Sequence, residues 1–109
     1  MQKIDCKNIY LTKGDTFKAI VSMTDTSGNP YTPESGDVIR FAMKSSYFDK
    51  RVLVEKTIPH DTMLLQLEPE DTKSLPIKKY VYDIQITYEN GDVDTFIDRG
   101  ILTLTEEVD

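Results

Sequence analysis

Apolar residues occupy every second position of one stretch, Tyr80, Tyr82, Ile84, Ile86 and Tyr88, with Asp83, Gln85 and Thr87 between them. Such alternation belongs to a β-strand with one face on a core, because strand neighbours point to opposite faces. A helix would bring its apolar residues round only about every 3.6 positions. At its length, Lys79 to Glu89 reads as a strand in the middle of a sheet.

The same period recurs along the chain. Phe17, Ala19, Val21 and Met23 share a face of Thr16 to Thr24, and Ile39, Phe41 and Met43 share a face of Asp37 to Ser45. Val52 to Val54 place a further strand in Arg51 to Ile58. This strand is expected to form a hairpin, around Pro59-His60-Asp61, with Thr62 to Glu68, where Met63, Leu65 and Leu67 align. Lys7 to Leu11 adds an edge strand. The loop from Asp25 to Gly36 is dense in the Gly, Pro and Asx residues that favour turns. Asn90-Gly91 predicts a two-residue type I′ hairpin, in which both residues take positive φ, leading into Val93 to Thr105. Gly100 inside that last strand marks a bulge or a close backbone approach. Glu68 to Pro76, acidic at its start and closed by proline, reads as a single helical turn crossing between sheets. The pattern predicts an all-β, antiparallel β-sandwich of about seven strands with one short helical crossing turn. It forms one domain over residues 1–109, with 1–6 and 106–109 frayed.

A chain of 109 residues, 39% hydrophobic and 29% charged, has the composition of one domain that folds alone. Its 19 acidic and 13 basic side chains leave a net charge of -6, and the lysines and arginines form no stripe. That field repels phosphate backbones and anionic membranes, so neither nucleic acid nor a membrane is an expected partner. A single cysteine, Cys6, excludes an internal disulfide. The polar start has no apolar run behind it, so no signal peptide or membrane span is expected.

Little in the sequence suggests chemistry. The one histidine, His60, sits in a turn, and Cys6 has only Lys3 and Lys7 near it. Asp92, Asp94 and Asp98 can share a strand face and, with Asp25 or Glu89, could hold calcium. Neither nearby turn has the spacing of a calcium loop, and a solvated polar face is the reading preferred. No catalytic, cofactor or metal residue is assigned. Among the six tyrosines, Tyr80, Tyr82 and Tyr88 lie on an inward face and belong to the core. Tyr31, Tyr47 and Phe48 lie in loops and are the candidates for a partner contact.

The turns and strand starts come in a recognisable order: Gly14-Asp15-Thr16-Phe17, Asp25-Thr26-Ser27-Gly28-Asn29-Pro30, Pro69-Glu70-Asp71-Thr72, Tyr80-Val81-Tyr82-Asp83-Ile84 and Gly91-Asp92-Val93-Asp94-Thr95. In this layout, over about residues 9 to 104, the chain resembles the immunoglobulin-like N-terminal domain of phage baseplate upper proteins and related small tail or virion proteins. It departs at Ile77-Lys78-Lys79, where a glycine is expected. The resemblance implies an immunoglobulin-like sandwich and a non-catalytic structural or assembly module of a phage or prophage particle, in its tail or baseplate. The partners would be other phage structural proteins, or the chain itself as a homo-oligomer, in the virion or the bacterial host cytoplasm. The stretch Asp71 to Tyr80 also resembles the crossing before a tyrosine corner, in which a tyrosine hydroxyl bonds back to the upstream backbone. This gives Tyr80 and Asp71, like Asn90 and Gly91 of the hairpin, structural roles. The alternative is a free-standing carbohydrate-binding or adhesion sandwich with Tyr31, Tyr47 and Phe48 as its ligand platform.

Overall fold

The computed structural model describes residues 2–3, 8–23, 27 and 29–106 and, for residues 2–3 and 96–99, the backbone alone. Cys6, Asp25, the side chain of Asp98 and residues 107–109 lie outside the described residues. The chain is all-β, a sandwich of two sheets with one short helix. Its strands are β1 (Gln2–Lys3), β2 (Asn8–Thr12), β3 (Phe17–Ile20), β4 (Val38–Lys44), β5 (Val54–Ile58), β6 (Leu64–Leu67), β7 (Lys79–Thr87) and β8 (Val93–Thr105). The helical turn α1 (Pro69–Thr72) falls between β6 and β7. A five-stranded sheet has the order β2-β8-β7-β4-β5, and a three-stranded sheet the order β1-β3-β6.

Alternation decides which residues form the core. Ile39, Phe41 and Met43 of β4, Tyr80, Tyr82, Ile84 and Ile86 of β7, and Leu102 and Leu104 of β8 are all buried. Across from them Phe17, Ala19, Leu65 and Leu67 close the core from the second sheet. Burying each large apolar side chain contributes about 1.5–3 kcal/mol. Strand β7 is the middle of the five, as its length and apolar face predict.

The structure differs from expectation in how the strands pair. The sandwich is not purely antiparallel: β2 runs parallel to β8, and β1 parallel to β3. A parallel pair needs a long connection, and here most of the domain lies between β2 and β8, so neither strand's own pattern can reveal the pairing. Nor do β5 and β6 form a hairpin. Strand β5 pairs with β4 in one sheet, whereas β6 pairs with β3 in the other. The Met63 N–H donates to the Pro59 carbonyl at 2.8 Å with Met63 at φ 54°, and this turn carries the chain over the edge of the sandwich. Folding back into the same sheet would have left β3 without its antiparallel partner.

The β7–β8 connection is a hairpin, but not of type I′. Only Gly91 has a positive φ, 94°. The Gly91 N–H donates to the Tyr88 carbonyl and the Tyr88 N–H to the Asp92 carbonyl, each at 2.8 Å. The loop is thus three residues long, a turn followed by a left-handed glycine. Asn90 keeps negative φ and instead accepts the Asp92 N–H on its side-chain oxygen at 2.9 Å, an Asx turn.

Gly100 combines both features expected of it. From Tyr82 to Gln85, three steps on β7, the pairing on β8 moves from Gly100 to Thr95, five steps, so β8 bulges twice. Opposite Gly100 lies the Tyr82 ring, so near that a Cβ on residue 100 would come within 2.4 Å of it. Glycine leaves that space for the ring.

Candidate functional site

Strand β4 separates the loop aromatics. Tyr31 lies before its start and Tyr47 and Phe48 after its end, and its seven residues span roughly 20 Å. The three candidates therefore do not form one surface.

At the start of β4 the aromatics are built into the fold. The Tyr31 and Tyr88 rings meet edge to face, with centroids 6.2 Å apart. The Tyr31 hydroxyl donates to Asp37 Oδ2 at 3.0 Å, and the same oxygen accepts the Glu34 N–H at 2.9 Å. Burial, then the bonded Asp37 carboxylate, pushes the Tyr31 phenol up to about 12. The Glu34 N–H holds the Asp37 carboxyl below its ordinary range. Burial also raises the Tyr88 phenol, with Asp94 adding to it. Glu89, Asp92 and Asp94 of the neighbouring hairpin are exposed, so this end of the sandwich is acidic.

The other end has the opposite character. Tyr47 and Phe48 are the central residues of a turn closed by the Asp49 N–H on the Ser46 carbonyl at 3.2 Å, and the Arg51 N–H on Asp49 Oδ1 at 2.9 Å holds its far side. Phe48 is 95% exposed and Tyr47 49%. Lys78 reaches the turn through a hydrogen bond from Nζ to Ser45 Oγ at 2.5 Å. Lys50, Arg51 and Lys79 are exposed nearby, and Lys44 is half-buried beside Ser45.

The residues assigned structural roles sit where the chain changes sheet. The Tyr80 hydroxyl donates to the Pro76 carbonyl, four residues upstream, at 2.5 Å. Asp71 Oδ2 accepts the Glu68 N–H at 2.7 Å, capping α1, and pairs with Lys56 Nζ at 2.9 Å. Lys56 escaped the sequence reading, although its place between Val54 and Ile58 on the inward face of β5 was the signal. An inward lysine on an edge strand also discourages further strand pairing there. The buried Thr72 accepts the Gly14 N–H at 3.3 Å, tying α1 to the β2–β3 turn.

His60 lies in its turn near the acidic end, facing Asp37. Among the described residues no three His, Cys, Asp or Glu side chains gather to hold a metal ion. Open hollows on the surface include one of about 690 Å³ beside Lys13, Glu70 and Ile77 and one of about 680 Å³ beside Tyr10, Asp15 and Lys18. Among the described residues no helix is long and apolar enough to cross a membrane. No protein-family model and no curated protein matches the chain.

Proposed function

We propose that this protein is a non-catalytic structural or assembly module of a phage or prophage particle, in its tail or baseplate, acting through protein–protein contacts. The observation that carries the contact half is Phe48. Leaving a phenylalanine wholly in water on a turn held by two hydrogen bonds gains the fold nothing, whereas a partner surface can bury it. The phage half rests on the ordered turn motifs and on the sandwich they build. Tyr31 packs at the other end of β4, so the three-aromatic glycan platform lacks one of its members.

The gene's surroundings test this reading. It should lie among genes for phage structural proteins, and its product should be found by mass spectrometry in particles purified after induction of the host. A gene remote from any such cluster, with particles free of the protein, would overturn the proposal.

A further inference from the structure

We infer that the module binds a second copy of itself head to tail, the Phe48 end of one copy seated on the acidic end of the next. This deepens the contact-module reading and rests on it. The argument is one of complementarity between opposite ends of one chain. At the Phe48 end, Lys50 and Arg51 follow the aromatic turn, Lys78 bonds to Ser45 just before it, and Lys79 opens β7 beside them, all four exposed. At the far end of β4, Glu34, Glu89, Asp92 and Asp94 are acidic, the last three within the β7–β8 hairpin region. That end also offers an apolar seat. Val38 pairs with Thr87 and Thr87 with Val93, forming one row across the outer sheet face, with Val38 45% and Val93 59% exposed.

An aromatic anchor at a cationic end thus has, on the same molecule, two exposed valines at an acidic end. Placing a cationic patch against an anionic one favours this docking over like against like. The net charge of -6 repels whole copies at long range, but salt at about 0.15 M screens that repulsion beyond about 8 Å and leaves contacting ends attractive. The two surfaces differ, so the contact is heterologous and repeats. It closes into a ring or continues as a filament, as particle components require.

Sedimentation velocity on the purified chain tests the inference. The expected result is concentration-dependent association at roughly 0.15 M salt that weakens toward 1 M. Phe48→Ser, which leaves every charge in place, should weaken association by about tenfold or more. Lys78→Glu/Lys79→Glu and Glu89→Lys/Asp92→Lys should each be monomeric alone yet associate with each other when mixed, since mixing sets opposite charges at the junction again. Circular dichroism verifies that the variants are folded. A wild-type chain that stays monomeric from micromolar to millimolar concentration overturns head-to-tail binding. So does self-association by either double variant alone, which would indicate a symmetric contact. Those results would leave particle membership to the gene-neighbourhood test.

Discussion

Two regions of β7 treat the same residue type in opposite ways. Tyr80 stands where the crossing from the second sheet enters the strand, and Tyr82 stands two residues on, where the strand is flanked on both sides. Their rings are 1% and 2% exposed. The Tyr80 hydroxyl finds the Pro76 carbonyl at 2.5 Å, whereas the Tyr82 hydroxyl is buried with no hydrogen-bond partner among the described residues. The cause is position in the sheet. A segment crossing between sheets has carbonyls outside any ladder, but the middle strand's neighbours have spent theirs on each other. Burial of a tyrosine ring and satisfaction of its hydroxyl are therefore separate problems, and only the first can be read from alternation.

The largest test of the contrast acts on the space around Tyr82. Gly100→Ala sets a methyl group within 2.4 Å of its ring, which is already confined by Phe41 at a centroid distance of 5.2 Å. The expected loss is about 3 kcal/mol, the upper part of the overpacking range, measured by urea unfolding. In a Tyr82→Leu background the same substitution should cost far less. Equal losses in both backgrounds would show that the ring is not what requires glycine there.

The next effect is alkaline. Burial pushes the Tyr82 phenol up from 10.0 to about 12. Between these values the unfolded chain has released the proton while the folded one still holds it, so stability is full below pH 10 and falls as pH rises toward 12. A two-unit shift makes Tyr82's share about 2 kcal/mol by the top of that window. Tyr82→Phe should flatten this part of the stability curve and leave the contribution of Tyr31, also near 12, in place. Curves for variant and wild type that stay parallel from pH 10 to 12 would contradict it.

Tyr80→Phe comes third. It removes one part-buried hydrogen bond, so the expected loss is about 1 kcal/mol. An unchanged melting temperature would mean that the bond adds nothing to stability.

The sequence made the strands legible because alternation is local. The inward faces of β3, β4 and β7, a close approach at Gly100 and the crossing turn at Glu68–Pro76 are all signalled by neighbours along the chain, although which ring Gly100 meets is not. What was not legible depends on partners far away in sequence. Leu65 and Leu67 alternate the same way whether β6 joins β5 or β3, and Ile9 and Leu11 do so beside a parallel or an antiparallel β8. The candidate surface divides along the same line. Phe48 stood out as a loop aromatic, but nothing near Tyr31 in the chain reveals that its ring meets Tyr88, 57 residues on, across the acidic end.

The smallest expected effect carries the comparison furthest. At neutral pH, Tyr82→Phe removes a hydroxyl that is buried and has no partner among the described residues. Such a group costs on the order of 1–3 kcal/mol, but the empty space left by the oxygen and its lost dispersion contacts take back part of the gain. The expected net is a stabilisation of up to about 1 kcal/mol, opposite in sign to Tyr80→Phe. Measuring both variants and their double in one urea series makes the sign the decisive quantity. The two hydroxyls share no partner, so the effects should add within about 0.5 kcal/mol. A loss on Tyr82→Phe would mean that the hydroxyl is satisfied in solution, the simplest agent being a buried water bridging it to a polar group nearby. The contrast along β7 would then lie between direct and water-mediated satisfaction.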